Sequence, residues 1–368
     1  MVKASYQPDY IFIFIVVCLI LLGGLILVSV SLPISQEKFG SSFYYLNHQI
    51  LYGFLPGLIL AFLAFKINLV RLKKFAPLFL LVNLIFLGMV FLPHLGVSFR
   101  GSARWINLGP ISFQPSEFLK LSFILYLSSW LASRTEKIKT KNEFWQTLLA
   151  FLVVMGIISI FLIFQPDIST LFVIISVASL MYFLAKTPLG HSILIVFMII
   201  LAFLVLIKIA PYRFNRILVF LNPELDPMGI GYQIKQALIA IGSGGIFGSG
   251  LGLSLQKFGF LPHSISDSIF AIFAEETGFL GSLVLVLLYL VFFWRGLKIG
   301  KQIGDNFSKF CAFGITFWIT LQGFINIGSM IRILPLTGIP LPFISYGGSA
   351  LISELIGVGI LLNISKRG

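Results

Sequence analysis

The chain of 368 residues is 58% hydrophobic and 11% charged, and its mean hydropathy is +1.02. A water-soluble globular protein is excluded, because so much apolar surface could not be hidden from water. The net charge of +13 does not indicate a nucleic-acid partner, since most basic residues fall in short connectors between apolar runs, as in membrane proteins.

Long apolar runs without alternation predict an all-α polytopic membrane protein, because roughly 20 apolar residues in a helix cross the bilayer and a barrel would alternate. The first run is too long for a signal peptide, so we expect a retained helix. We expect a single transmembrane domain over residues 1–368. Ten spans are predicted, at about 10–32, 48–66, 75–95, 116–133, 145–164, 168–185, 190–210, 268–293, 309–330 and 341–363.

Lysine and arginine are distributed unequally between the two faces that these spans define. One face carries sixteen of them and the other carries eight. The positive-inside rule therefore predicts that both termini are cytoplasmic. Two long connectors then lie outside, 96–115 and 211–267, the second between spans seven and eight. We expect any chemistry to occur at the outer face of the membrane.

The first outer connector carries Arg100, Arg104 and Trp105, which indicate a loop that lies on the bilayer and contacts anionic head groups. Span four then begins with Glu117 and Lys120, which share a helix face at a spacing of three residues. A structural ion pair is the simpler interpretation of these two residues. Alternatively, Lys120 presents a cation to a phosphate that enters from the outer leaflet.

The segment Gln165-Pro166-Asp167 separates spans five and six with almost no loop. Asp167 either caps span six or faces an outer cavity, and capping is the simpler interpretation. Arg213 and Arg216 come soon after Pro211 and add positive charge to the same face. The two cysteines and four histidines show neither disulfide nor metal-ligand spacing.

The second outer connector passes through six glycines between Gly242 and Gly252 and ends in a lone acid, Asp267. The glycines lack the register and the following lysine of a phosphate-binding loop, so we expect close backbone packing in a re-entrant or interfacial segment. Asp267 either caps the helix that begins near Ser268 or acts chemically on a lipid-linked substrate at the membrane surface. The two roles are compatible.

Span eight carries a stripe of small residues that predicts close approach by another helix. The stripe comprises Ala271, Ala274, Gly278 and Ser282. Glu275 lies on the stripe and Glu276 beside it. A carboxylate at membrane depth costs about 2.5–3.5 kcal/mol, so such a group faces a partner or a cavity. A buried, paired acid and a substrate-binding acid are equally compatible with the pattern.

The segment 334–349 places three prolines before span ten. Irregular backbone at membrane depth must be buried in protein or line a cavity. We therefore expect this segment to form another wall of the outer site, with Ser345, Tyr346 and Ser349 as hydrogen-bond donors.

Five segments together resemble the SEDS family of bacterial cell-wall polymerases, the FtsW, RodA and SpoVE group, over essentially the whole chain. They are GSARWINLGPISFQPSEFLK, QPD, GYQIKQALIAIGSGGIFGSGLGLSLQKFGFLP, DSIFAIFAEETGFLG and LPLTGIPLPFISYGGS. The resemblance implies ten transmembrane helices in the bacterial cytoplasmic membrane. It also implies a glycosyltransferase that polymerises lipid II at the outer face and releases undecaprenyl pyrophosphate. The cell-division type is favoured, and the elongation type is the alternative.

The resemblance also implies roles for individual residues. Asp267 is the expected essential acid, and a divalent cation, Mg²⁺ or Mn²⁺, is left open as an aid to the leaving group. The family commonly has Leu-Pro-Glu where this chain has Leu261-Pro262-His263, so a second acid is not expected there. The substrate-binding residues expected from the motifs and the outer charges are Arg104, Glu117, Lys120, Asp167, Arg213, Arg216, Glu276, Ser345 and Ser349.

The expected partners are a class B penicillin-binding transpeptidase, other division proteins, lipid II and membrane lipid, with no nucleic acid. Two other functions stay open at this point. One is a lipid II flippase, in which Glu117, Lys120, Glu275 and Glu276 line a translocation path. The other is a non-catalytic scaffold that only recruits the transpeptidase.

Overall fold

The computed structural model describes residues 7–92, 95–99, 102–107, 112–134, 141–185, 187, 189–209 and 211–367. A short π-helical turn, Ile50–Phe54, joins the second and third helices, and a 3₁₀ turn, Pro223–Leu225, follows the ninth. Over the described residues the chain forms thirteen α-helices: α1 (Tyr10–Phe39), α2 (Tyr44–Gln49), α3 (Leu55–Lys66), α4 (Leu69–Met89), α5 (Pro115–Arg134), α6 (Lys141–Phe164), α7 (Ile168–Leu184), α8 (Leu189–Ile209), α9 (Pro211–Leu221), α10 (Ile230–Ser243), α11 (Ile269–Gln302), α12 (Asn306–Met330) and α13 (Gly348–Ser365).

The predicted all-α polytopic class is confirmed, and each predicted span overlaps one of these helices. Within the described part of the chain, seven helices are long and apolar enough to cross a membrane. α7 is shorter, with 17 residues, and α5 carries the charges of Glu117, Lys120 and Arg134. The full count of ten crossings therefore stays a prediction.

The centre of the bundle is formed by α12, α13 and α5. In the most apolar 18-residue stretch of α12, 83% of the residues are buried. In the corresponding stretch of the span Tyr44–Lys66, only 17% of the residues are buried. The outer helices expose leucine, isoleucine and phenylalanine side chains around the bundle, as expected for surfaces that face lipid. The polar residues of α5 and α12 are therefore enclosed by protein.

The two ends of the chain meet at one end of the bundle. The backbone N–H of Asp9 donates to the Ser365 hydroxyl over 3.2 Å, and the Arg295 guanidinium forms an ion pair of 2.6 Å with the Asp9 carboxylate. Arg295 lies in the last third of α11, so the start of α11 points to the opposite end. Asp267, just before α11, is thus far from both termini along the bundle axis.

Both long connectors contain regular structure that the sequence patterns did not predict. The first contains a three-stranded antiparallel sheet, with β1 (Gly96–Phe99), β2 (Ser102–Asn107) and β3 (Ser112–Phe113) in that order. Ile106 of β2 is buried and pairs with Phe113 of β3. Hydrogen bonding between the strands satisfies backbone groups near the membrane, and it holds Arg104 on β2.

Helix α11 is interrupted at Gly278, whose φ of 66° and ψ of −163° are not helical. The glycine-rich loop after α10 inserts at this point and takes over the hydrogen bonds that the helix loses. Its bonds to α11 run from the N–H groups of Ser249 and Gly250 to the carbonyls of Glu275 and Glu276, and from the N–H groups of Phe279 and Leu280 to the carbonyls of Gly245 and Ile246. At Gly278 the small-residue stripe thus receives the loop, and at Ala274 it receives the C-terminal end of α10, where a Cβ on Gly244 would lie 2.2 Å from the Ala274 carbonyl oxygen.

The insertion requires glycine at Gly248, and this requirement gives a stability prediction. Gly248 has a φ of +83°, and a Cβ there would lie 2.2 Å from the Glu276 carbonyl oxygen. Gly252 has the same φ of +83° but open space around its Cβ position. Both Gly248→Ala and Gly252→Ala introduce the strain of a positive φ. Only Gly248→Ala adds a clash with the Glu276 carbonyl oxygen. We therefore expect Gly248→Ala to lower the free energy of unfolding by about 2 kcal/mol more than Gly252→Ala.

Thermal and denaturant unfolding of both variants in detergent measures this difference. Equal losses in the two variants would contradict the inserted arrangement of the loop.

Candidate active site

Asp267 lies at the end of a tight turn, with its carboxylate partly open to solvent. The Ser266 hydroxyl donates to its Oδ1 over 2.9 Å, and the His263 Nδ1 lies 3.8 Å from the same oxygen. The Asp267 side chain is 16% exposed. The capping residue of α11 is Ser268, and no side chain caps the helix. The Asp267 carboxylate therefore does not cap α11, and it is available to a ligand.

The main chain around Asp267 is held from two directions. On one side, the Asn326 side-chain amide of α12 donates to the carbonyls of Asp267, over 2.8 Å, and Ile339, over 2.7 Å. On the other side, the Ser345 hydroxyl donates to the Ser266 carbonyl over 2.5 Å. These bonds fix the position of the carboxylate relative to the proline-rich segment 334–349, as a preorganised catalytic group requires.

Arg104 and Asp167, both predicted site residues, contact each other. The Arg104 Nε donates to the Gln165 carbonyl over 3.2 Å, and its Nη2 donates to the Pro166 carbonyl. Its Nη1 lies 3.9 Å from the Asp167 Oδ1, the same oxygen that caps α7 by accepting from the Thr170 N–H. The capping interpretation of Asp167 is therefore confirmed. The Arg104 side chain remains 32% exposed, so its charge also faces outward.

The segment from Thr337 to Ile339 contacts both the turn of Asp267 and the first turn of α7, which Asp167 caps. The Ser169 hydroxyl, two residues after Asp167, donates to the Thr337 carbonyl. At the next residue, Gly338, a Cβ would lie 3.6 Å from the Asp267 Oδ2. One short stretch of backbone therefore connects the surroundings of the Asp267 carboxylate to α7, whose capping residue Asp167 pairs with Arg104. The 334–349 segment thus lies against the turn that carries Asp267, and its role as a wall of a substrate site stays a prediction.

Glu117 and Lys120 form a buried ion pair of 2.7 Å, with side chains 4% and 2% exposed. The Lys120 Nζ also donates to the Gln322 Oε1 over 2.7 Å, and Gln322 in turn donates to the Pro340 carbonyl over 3.0 Å. The structural interpretation of the pair is the one that the geometry supports. The pair connects α5 through α12 to the proline-rich segment, and so supports the site from the interior of the bundle.

Glu275 and Glu276 are buried and partnered, and they attach the glycine-rich loop to the helices. Glu276 forms an ion pair of 3.2 Å with Lys257 and accepts a hydrogen bond of 2.6 Å from the Ser29 hydroxyl of α1. Glu275 accepts from the Ser254 hydroxyl and from the Leu255 N–H, the latter over 3.0 Å. In this arrangement Glu276 positions the loop that leads to Asp267.

The remaining predicted residues fall into different surroundings. Ser349 is buried and accepts from the Gln114 N–H over 3.1 Å, and Ser345 accepts from the Leu341 N–H over 2.8 Å. Arg216 is exposed on α9. Arg213 belongs to the same helix, but its side chain lies outside the described residues, as does Arg100.

Two site residues, Gln322 and Asn326, were not predicted from the sequence. They are separated by one helical turn on α12 and are 0% and 1% exposed. An amide at membrane depth needs a partner, and a pair of amides at a spacing of four residues in an apolar helix indicates a common target. Here that target is the proline-rich segment, so this spacing was the signal.

The fold and these contacts define a polytopic helical membrane protein whose partly exposed Asp267 carboxylate lies at the end of the bundle away from the termini. The family model of the FtsW/RodA/SpoVE cell cycle proteins matches residues 9–368. The chain belongs to the FtsW/RodA/SpoVE family.

Relatives and solved structures agree with this membership over nearly the full length. Stage V sporulation protein E of Bacillus subtilis (strain 168) is 37% identical, covering 100% of this chain and 99% of the relative. The probable peptidoglycan glycosyltransferase FtsW of Nitrosococcus halophilus (strain Nc4) is 37% identical, covering 97% and 92%. A chain of a peptidoglycan synthase complex that coordinates polymerization and crosslinking has a TM-score of 0.77 at 26% identity, covering 98% of each chain. The rod shape determining protein RodA of Thermus thermophilus has a TM-score of 0.70 at 25% identity, covering 98% and 97%.

Proposed function

We propose that this protein is a peptidoglycan glycosyltransferase of the FtsW type, which polymerises lipid II into glycan strands and releases undecaprenyl pyrophosphate. The observation that carries the proposal is the fixed, partly exposed Asp267 carboxylate, together with the partly exposed Arg104, whose partner Asp167 begins the helix that contacts the same 337–339 segment. Relatives named as probable peptidoglycan glycosyltransferases support the reaction, and their FtsW names favour a role in cell division over the elongation role of RodA.

In this proposal Asp267 is the general base. The sugar 4-hydroxyl of one substrate is a weak nucleophile, and a positioned carboxylate that accepts its proton typically contributes about 10²–10⁴ in rate. The hydroxyl oxygen then attacks the anomeric carbon of the second lipid-linked sugar. The bond from that carbon to the pyrophosphate oxygen breaks, and the electron pair leaves with the pyrophosphate. A single base fits direct displacement with inversion, since double displacement would need a nucleophilic carboxylate as well.

The leaving pyrophosphate needs charge stabilisation, and Arg104 is the cation best placed to give it. Arg213 and Arg216 on α9 are further candidates in this proposal.

A divalent cation, Mg²⁺ or Mn²⁺, is another candidate for stabilising the charge of the leaving pyrophosphate. Within the described part of the chain, no three His, Cys, Asp or Glu side chains form a metal-binding group. Such a cation would therefore be held mainly by the substrate phosphates.

The lipid tail of the substrate needs an apolar groove at membrane depth. A cavity of about 400 Å³ lies among α3, α4, α5 and α13, and its lining is almost entirely apolar. It reaches Phe113 of β3, the strand that pairs with the Arg104 strand. We assign this cavity to the polyprenyl chain, with the pyrophosphate next to Arg104.

Replacing Arg104 by glutamine is expected to lower kcat/KM for lipid II by about 10²-fold, the usual effect of removing one charged donor from a developing anion. Arg104→Lys should recover only part of the loss. Lysine keeps the positive charge, but it lacks the planar guanidinium that contacts the Gln165 and Pro166 carbonyls and the Asp167 carboxylate at the same time. Lys235→Gln, an exposed charge change on α10, is the matched control. Equal kcat/KM for Arg104→Gln and the control would contradict this role.

We further propose that the protein lies in the bacterial cytoplasmic membrane with both termini inside, and that it works with a class B penicillin-binding transpeptidase and other division proteins. The sixteen-to-eight distribution of basic residues supports this orientation. The similarity to a chain of a complex that couples polymerization to crosslinking supports the partner. Identification of the transpeptidase that co-purifies with the protein distinguishes the division role from the elongation role.

Vesicles that contain the purified protein, with the transpeptidase added, test the polymerase against its rivals. Labelled lipid II is supplied, and both its polymerisation and its movement between leaflets are measured. The proposal expects glycan polymer. Lipid movement without polymer would favour a flippase, and neither activity would favour a scaffold.

A further inference from the structure

His263 is the residue closest to Asp267 whose chemistry the proposed reaction has not used. Its Nδ1 lies 3.8 Å from the Asp267 Oδ1, four residues along the chain. The imidazole is 31% exposed and the Asp267 side chain 16%. The imidazole therefore contacts the carboxylate on one side while reaching solvent more fully than the carboxylate does.

The backbone holds His263 in this position at an energetic cost. Its φ of 58° lies in the left-handed region, which is uncommon for a residue with a Cβ. Its carbonyl accepts from the N–H groups of Ser266, over 3.0 Å, and Ser268, over 3.2 Å, and from the Ser266 hydroxyl over 3.3 Å. These three bonds close the turn around Asp267 and keep the imidazole on the same side as the carboxylate.

The proposed reaction leaves a proton that must be removed. At each addition the hydroxyl proton moves to Asp267, while the pyrophosphate leaves with the electron pair of the broken bond. Asp267 must lose that proton before it can accept the next one. A histidine is the side chain that most readily accepts and releases protons near neutral pH, and a small side-chain rotation closes the gap of 3.8 Å between the His263 Nδ1 and the Asp267 Oδ1.

The other groups around Asp267 are not suited to this task. Ser266, Asn326 and Ser345 are neutral donors, and Gln233 of α10 is occupied with the Ser268 hydroxyl over 2.9 Å. On the α7 side of the 337–339 segment, which Ser169 contacts, Arg104 and Asp167 are paired with each other. Among the described contacts of Asp267, His263 is thus the one that exchanges protons readily.

We propose that His263 acts through Asp267 as a proton relay: it takes the proton from the Asp267 carboxyl and passes it to solvent, which resets the base for the next addition. The inference rests on the proposed polymerase function and deepens it. The family resemblance leads one to expect a glutamate at position 263. Both a glutamate carboxylate and a histidine imidazole can relay a proton, so the relay explains how His263 serves at this position.

The test uses His263→Gly in the full-length protein with its transpeptidase. Glycine adopts positive φ without strain, so the turn is preserved while a space for free imidazole is opened. We expect continuous polymerisation to slow about tenfold, the low end of general acid–base effects, while the first bond formed per enzyme is affected less. Added imidazole should restore the rate of His263→Gly and have no effect on Asp267→Asn. His263→Glu should retain most of the wild-type rate.

Two results would overturn the relay. One is a wild-type rate for His263→Gly. The other is a slow His263→Gly that has wild-type thermal stability and does not respond to imidazole, because that outcome assigns His263 to the turn alone. Failure of the polymerase proposal itself is distinct, since the wild-type protein would then form no polymer in the same assay.

Discussion

Replacing Lys120 by methionine is expected to lower the free energy of unfolding by about 3–5 kcal/mol, the usual cost of leaving a buried charge without its partner. Glu117 is 4% exposed, and Lys120 bridges it to Gln322. Methionine fills much of the same space, so the loss comes from the orphaned carboxylate. Denaturant unfolding in detergent measures the change.

The double variant Glu117→Gln with Lys120→Met is expected to recover much of this loss, because neither residual side chain then carries a buried charge. Lys298→Met, a change at an exposed lysine of α11, serves as the control and should stay within about 0.5 kcal/mol of wild type. A Lys120→Met variant as stable as this control would show that the pair does not support the bundle.

The largest effect on activity is expected from Asp267→Asn. The asparagine keeps the size of the side chain but cannot accept the hydroxyl proton, so polymerisation should fall by about 10²–10⁴, equivalent to roughly 3–5 kcal/mol in barrier. Thermal stability should change little, because the carboxylate does not cap α11. Initial rates of glycan formation at saturating lipid II measure the loss.

Glu224→Gln is the matched control for Asp267→Asn, since Glu224 is an exposed acid in the connector before α10. The control should polymerise at the wild-type rate. If Asp267→Asn retained more than a tenth of the wild-type rate, another group would have to be the base.

The membrane-spanning helices could be predicted from the sequence because lipid imposes one simple requirement, about 20 apolar residues with all backbone groups paired. Asp267 could be located because it ends a long outer connector and precedes an apolar helix. The cap by Asp167 was also predictable, since a short polar side chain before a helix has few other roles. Each of these inferences depends on residues that are close in sequence.

The contacts across the chain could not be predicted in this way. The break in α11 at Gly278 depends on a loop some thirty residues earlier that supplies replacement hydrogen bonds, and no helical pattern in α11 reveals it. Likewise, the Gln322–Pro340 and Asn326–Ile339 bonds place the proline-rich segment beside Asp267. The spacing of Glu117 and Lys120 indicated a pair, but only their burial against α12 explains which partner Lys120 holds.

The most direct test is to incubate the purified protein with labelled lipid II and with a transpeptidase partner that has been inactivated at its crosslinking site. The products are then separated by gel electrophoresis. A ladder of glycan strands is expected with the wild-type protein and with Glu224→Gln, and no ladder with Asp267→Asn. A wild-type protein that makes no ladder, or an Asp267→Asn variant that makes the same ladder, would contradict the assignment of the reaction to this chain and to this carboxylate.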